Sequence, residues 1–268
     1  MSISDIDTPQ WPIASLLAHI RGGNVWLWRA MLALTLGLVF SLALMAVDHR
    51  LLLGVNVWDK PAKFFLSLIV QFATVGWAMS LLPRAQNNPQ KLTVSVGLMI
   101  AAAAFEMAYI CFRASRGEAS HFNDSSIFAQ VMYGLMGLGA VTLTATGFLV
   151  GLRVWRARGR DIMMLATGLG LMLGMVLATL AGGYMSQTHG HWVGGEMSDA
   201  HGLGFFGWST TGGDLRVPHF IGMHLAQALP LAAISGSRFV VFVMAAIGVA
   251  ATLATFAMAL MGVPLLHS

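Results

Sequence analysis

The chain has 268 residues, of which 57% are hydrophobic and only 10% charged, and its mean hydropathy is +0.73. A soluble domain carries about 25% charged residues, so this composition excludes an ordinary water-covered surface and predicts a membrane protein. The net charge of +4 then reads as membrane topology and contact with anionic lipid rather than nucleic-acid binding.

In chain order, the first 24 residues hold Asp5 and Asp7 and no basic residue before Arg21, which argues against a cleaved signal peptide. Within them, "WPIASLLAHIRGG" predicts a short interfacial helix that begins at Pro12 and ends at Gly22–Gly23. Residues 25–268 predict an all-α integral membrane domain, a seven-transmembrane-helix bundle, since seven apolar runs approach the roughly 20 residues needed to cross a bilayer. They are Val25–Val47, Ala62–Leu82, Leu92–Phe112, Ile127–Leu152, Ile162–Met185, Pro218–Ile234 and Phe239–Leu265, the sixth being the shortest and most polar. Arg21, Arg84, Lys91, the run Arg153–Arg160 and Arg238 fall on one side, which the positive-inside rule makes cytoplasmic. "RVWRARGRD" reads there as a stop-transfer anchor. The expectation is a bacterial-type inner-membrane protein with its N-terminus inside and its C-terminus outside. The lone Cys111 excludes an internal disulfide framework.

The opposite, extracytoplasmic side receives Asp48, His49, Asp59, Lys60, Lys63, Arg113, Arg116, Glu118, His121 and Asp124. The long loop 186–217 adds His189, His191, Glu196, Asp199, His201, Asp214 and Arg216. That loop also carries Trp192, Phe205, Phe206 and Trp208, which favours a folded lid over a disordered linker.

Polar residues also enter the apolar runs. Lys63, Ser67, Gln71 and Thr74 are spaced to share one face of the second run, and Glu106, Tyr109 and Arg113 one face of the third. Gln130 and Tyr133 enter with the fourth run, and His224 and Gln227 with the sixth. At about 1.5 Å rise per residue, Gln71 lies roughly 12 Å below Lys63, Glu106 roughly 10 Å below Arg113 and His224 roughly 9 Å below Pro218. Groups at matched depth predict a polar cavity lined by Lys63, Gln71, Glu106, Arg113, His121, His219, His224 and Gln227, because an acid facing hydrocarbon costs a few kcal/mol. The bland alternative for Ser67, Thr74 and Gln130 is interhelical hydrogen bonding.

Two classes of function compete. In the first, a membrane enzyme or cofactor protein holds a transition metal or haem through His121, His219, His224 and Asp124, with Glu106 and His224 as the catalytic groups. No HExxH or CxxC motif anchors that set, and His219 and His224, five apart, point about 140° away from each other around a helix. In the second, a proton-coupled carrier or sensor binds a small anion or lipid head group. Glu106 is then the proton site and Lys60, Lys63, Arg113, Arg116 and Arg216 the anion clamp, with Gln71 and Gln227 lining the pocket. Retinal is excluded, since no lysine lies in the middle of a run.

"KPAKFFLS", "RGEASHFND" and "GGDLRVPHFIGMHLAQALP" resemble segments of an uncharacterised family of bacterial polytopic membrane proteins. The resemblance spans the second to sixth runs. It implies a multi-pass membrane fold and no activity, cofactor or ligand.

Overall fold

The computed structural model describes residues 13–83, 89–188 and 190–267. Arg84, His189 and the stretch before Ile13, with Asp5, Asp7 and Pro12, lie outside the described residues.

The fold is mostly helical. Helix α1 (Ile13–Gly23) is followed by α2 (Val25–Val47), α3 (Asp59–Ser80), α4 (Pro89–Ser115), α5 (Ile127–Ala157) and α6 (Ile162–Gln187). After the long loop come α7 (Arg216–Met223), α8 (Leu225–Ala233) and α9 (Arg238–Leu260). Local chemistry sets several starts. The side chains of Asn24, Ser126, Asp161 and Ser237 each accept a backbone N–H from the first turn of α2, α5, α6 and α9, satisfying donors that the helix itself leaves free.

Among the described residues six helices, α2, α3, α4, α5, α6 and α9, are long and apolar enough to cross a membrane. Their outer faces expose Leu36 and Phe40 of α2, Leu138 and Val141 of α5, and Phe242, Ile247 and Leu253 of α9, large apolar side chains of the kind that mark a membrane or protein partner. These helices match the expected spans within a few residues. The expected span Pro218–Ile234 does not form one helix: it is broken into α7 and α8 at His224. The carbonyl of Phe220 accepts both the backbone N–H of His224 (3.1 Å) and its ring Nδ1–H (2.8 Å). Pro230 removes a further N–H donor inside α8.

The loops segregate to the two ends of the bundle. At one end Arg238 donates to the carbonyl of Arg160 at 2.8 Å, and Gly23 abuts Gly76 and Ser80 near the end of α3. The expected interfacial segment is therefore a helix packed on α3, with Ile20 buried against Gly76. At the other end, β1 (Leu51–Leu52) and β2 (Val55–Asn56) form a hairpin in register Leu51↔Asn56 and Leu52↔Val55. Its two-residue turn, Leu53–Gly54, has both φ values positive (53° and 87°), as a tight turn matched to strand twist requires. The long loop is folded rather than irregular. It contains β3 (Trp192–Val193) paired antiparallel with β4 (Gly213–Asp214), and a 3-10 turn at Gly204–Phe206.

Side-chain volume sets how closely the helices approach. Cβ atoms at Gly170 and Gly174 of α6 would lie 2.6 and 2.8 Å from the carbonyl oxygens of Leu225 and Met223, so these glycines let the broken pair α7–α8 lie against α6. The main core is formed by Phe72 and Val75 of α3, Met99 and Ile110 of α4, Met136 and Val150 of α5, and Leu171 and Met175 of α6.

Candidate functional site beneath the loop cap

The hairpin, the segment between α4 and α5, and the long loop together form a cap over one end of the bundle. The loop is fastened to the hairpin through the carbonyl of Leu53, which accepts from the Asp199 N–H at 2.9 Å and from Ser198 Oγ at 3.2 Å. The hairpin is fastened to α4 by Arg50, whose Nη1 donates to the carbonyl of Ser115 at 3.1 Å. Arg50 also bonds Asp48, as does the Trp58 indole N–H, and these donors hold the Asp48 carboxyl well below the usual carboxylate range. Lys63 ties α3 to the cap. Its ammonium pairs with Asp59 at 2.6 Å, one turn away, and donates to the carbonyl of Phe206 at 3.5 Å. Phe206 stacks on Trp208 (4.4 Å between centroids), and both rings meet Phe220 of α7 edge-on.

Arg216 is the hub of the cap. Its guanidinium bonds Asp214 through Nε (3.0 Å) and Nη2 (2.7 Å), Asp199 at 2.8 Å and the carbonyl of Gly207 at 2.7 Å. The Asp214 side chain is only 1% exposed and also accepts the backbone N–H of Ser209 at 2.9 Å. Burial alone would push Asp199 up, but His191 and Arg216 outweigh it and keep that carboxyl below its ordinary value.

Two histidines lie beneath the hub. The His121 ring sits among Phe64, Tyr133 and Phe122 at 5.4, 5.9 and 6.3 Å, with Ser120 Oγ 3.0 Å from its Nδ1. Burial, with the nearby charge of Lys60 and the ring of His191, pushes His121 well below its ordinary value and keeps it neutral. His191 stacks on Trp192 at 3.8 Å, and its Nε2 is 3.7 Å from Asp199 Oδ1, too long for a hydrogen bond. That Nε2 and the neighbouring Trp192 Nε1 are buried without partners among the described residues. Burial also pushes His191 down.

Deeper along α4, Glu106, Tyr109 and Arg113 are all buried, on the one face that their spacing predicts. Glu106 is 4% exposed and its Oε1 has no hydrogen-bond partner among the described residues. A Cβ at Gly139 of α5 would lie 2.9 Å from that oxygen, so the glycine makes the room the carboxyl occupies. The charged group that acts on Glu106 is Lys60, not Arg113. Arg113 turns away to Glu118 (2.8 Å) and to the carbonyl of Ala119 (3.2 Å). Lys60 takes no hydrogen bond or ion pair among the described residues. Its ammonium is 5.9 Å from the Phe64 ring centre.

Other expected site residues make their hydrogen bonds with other partners. Gln71 donates to the Met175 sulfur at 3.5 Å, and Gln227 donates to Thr74 Oγ1 at 2.8 Å while its own Oε1 has no partner among the described residues. His219 bonds the carbonyl of Ala178 on α6 at 2.9 Å, and His224 bonds Phe220 and stacks on its ring at 3.9 Å. No hydrogen bond or ring contact joins His224 to Glu106 or to Gln227 among the described residues. Ser67 and Gln130 are exposed, and Asp124 is exposed with its backbone carbonyl taken by Gln130. His121, His219, His224 and Asp124 are thus not brought together: among the described residues no group of three or more His, Cys, Asp or Glu could hold a metal ion. Of the expected anion clamp, Lys63 is paired with Asp59, Arg113 and Arg116 with Glu118, and Arg216 with Asp199 and Asp214. Of this set, Lys60 alone forms no ion pair among the described residues.

The spacing of the sequence does not point to the His191–Asp199–Arg216 grouping. Asp199 meets Arg216 through loop closure: β3–β4 brings the two ends of the loop together, and the carbonyl of Leu53 holds the Asp199 N–H. The one available signal was composition, the density of His, Asp and Arg in a loop that also carries aromatics. No family model, no curated protein and no solved structure matches the chain.

Proposed function

We propose that the chain is a multi-pass protein of a bacterial-type inner membrane that binds a small anion at a proton-titratable site beneath an extracytoplasmic cap, as a proton-coupled carrier. In this reading the broken pair α7–α8 supplies a seventh crossing between the cap and the turn before Arg238. The end that carries the run Arg153–Arg160 and Arg238 is cytoplasmic, by the positive-inside rule.

The observation that carries the reading is Glu106 Oε1, buried in the interior without a hydrogen-bond partner among the described residues. A buried unpaired polar group costs about 1–3 kcal/mol, and an intramembrane acid is retained chiefly where it does work. Lys60 is the complementary half, a cation without a carboxylate of its own, near Glu106 and next to the neutral His121. An anion arriving at Lys60 would favour proton uptake by the carboxyl below it, which couples the two movements. The test uses protein reconstituted in vesicles loaded with a pH-sensitive dye and given gradients of inorganic phosphate or succinate. Anion-dependent proton movement that Glu106→Gln abolishes, with insertion intact, is the expected result. Equal proton movement in the variant would refute the assignment.

A second reading keeps the metal or haem. His219 and His224 each commit Nδ1 to a backbone carbonyl, the arrangement that leaves Nε2 as a ligand in metal sites. Stoichiometric metal or a Soret band in protein purified without chelator would favour this reading over the carrier.

A further inference from the structure

A cavity of the molecule lies apart from Glu106. It is an open groove of about 600 Å³ between the end of α4, the segment that follows it and the N-cap of α5. Its polar wall carries Arg113, Arg116 and Glu118, with Asn123 and Ser126 beside them, and its outer edge is formed by Phe112 and Phe128. Arg113 is buried and Arg116 exposed, and both pair with the single carboxylate of Glu118, at 2.8 and 3.1 Å. Two guanidiniums against one carboxylate leave one net positive charge. Each guanidinium also retains an Nη atom without a partner among the described residues, Nη2 of Arg113 and Nη1 of Arg116. The two phenylalanines at the rim are exposed on the outer, apolar face of the bundle.

We infer that this groove binds the head group of an anionic glycerophospholipid. The phosphodiester would bridge the free nitrogens of Arg113 and Arg116, a hydroxylated head would meet Asn123 and Ser126, and the acyl chains would run down past Phe112 and Phe128. Guanidinium is the side chain best matched to phosphate geometry. The net charge of the groove equals and opposes that of one phosphodiester, whereas the ammonium of a zwitterionic lipid would compete with both arginines for Glu118. The volume suits a head group and its glycerol, since ligand sites span roughly 300–1,000 Å³. The inference rests on the membrane reading above and not on the proton site.

Delipidated protein in detergent is titrated with dimyristoyl phosphatidylglycerol, and bound lipid is counted by native mass spectrometry against dimyristoyl phosphatidylcholine. One phosphatidylglycerol is expected to bind preferentially, and Arg116→Ala to weaken it about tenfold. Arg156→Ala, at the opposite end, should leave that binding unchanged. Glu106→Gln should also leave it unchanged, so a failure of the proton site and a failure of the lipid site give different results. Equal binding of the two lipids, or binding indifferent to Arg116→Ala, would overturn the proposal. Displacement of the lipid by millimolar inorganic phosphate would overturn it as well, by assigning the groove to a soluble anion.

Discussion

At the residue scale, His224 and Glu106 stand for opposite outcomes of burying a polar side chain. His224 meets its need locally: Nδ1 bonds the carbonyl one turn back and the ring stacks on Phe220. His224→Gln should therefore insert and fold with a loss of only about 1–2 kcal/mol, the worth of a hydrogen bond and a ring contact, read from the unfolding midpoint in detergent. Proton movement should survive in that variant. Loss of a bound metal or haem would instead identify the histidine as a ligand. Glu106 has no such local solution, because its Oε1 faces Gly139 across the α4–α5 packing. Gly139→Val would place methyl groups against that oxygen. It should destabilise the protein by about 1–3 kcal/mol through overpacking, whereas the paired change with Glu106→Ala should recover part of the loss, as a double-mutant cycle would measure.

At the element scale, the cap depends on Arg216 more than on its short strands. Two-residue strands contribute little ladder bonding, whereas Arg216 joins β4, the 199 segment and the Gly207 turn through four hydrogen bonds to three partners. Arg216→Ala leaves the Asp214 carboxylate buried beside an empty space, and removing one partner of a buried pair typically costs about 3–5 kcal/mol. The expected outcome is local: proteolytic cleavage within residues 190–210 should become fast while α2–α6 stay protected. Uniform loss of protection throughout the bundle would show instead that the cap is needed for the helices to assemble. The break between α7 and α8 belongs to the same scale. The bond from the His224 ring to the carbonyl of Phe220 is local, yet the consequence, two short helices against the glycines of α6, is visible only once the pair is packed.

At the scale of the whole molecule, the buried histidines set a pH dependence whose sign is fixed. Burial holds His121 and His191 below their ordinary value of 6.5, so the folded state binds fewer protons than the unfolded chain. Their contribution is complete above 6.5 and is lost as pH falls below it towards the depressed values. The unfolding midpoint in detergent should drop between about pH 7 and pH 5, and His121→Gln should flatten that decline. A midpoint that rises on acidification would contradict the burial of these rings. Topology is tested at the same scale, on a Cys111→Ser background. Asp124→Cys should react with an impermeant thiol reagent from outside intact cells, and Arg160→Cys only after permeabilisation. The reverse pattern would invert the membrane orientation, the cap and both proposed sites together.

The amino-acid sequence by itself determined the apolar spans, the segregation of basic loops to one end and the single buried face of Glu106, Tyr109 and Arg113. These depend on length, hydropathy and the 3.6-residue period, which are properties of neighbours along the chain. The tertiary structure alone decided which polar groups meet. The spacing that placed Glu106 and His224 at similar depth said nothing about the rotation of α4 against α8, so the expected partnership gave way to Gly139 on one side and Phe220 on the other. The arginines expected to clamp an anion found carboxylates within the chain: Arg216 pairs with Asp199 through the folding of the long loop as well as with Asp214 two residues away, and Arg113 pairs with Glu118 through the turn that follows α4. Charge pairing in a low-dielectric interior is decided at separations of a few ångströms, a distance that helix crossing angles and loop closure set and that residue spacing does not contain.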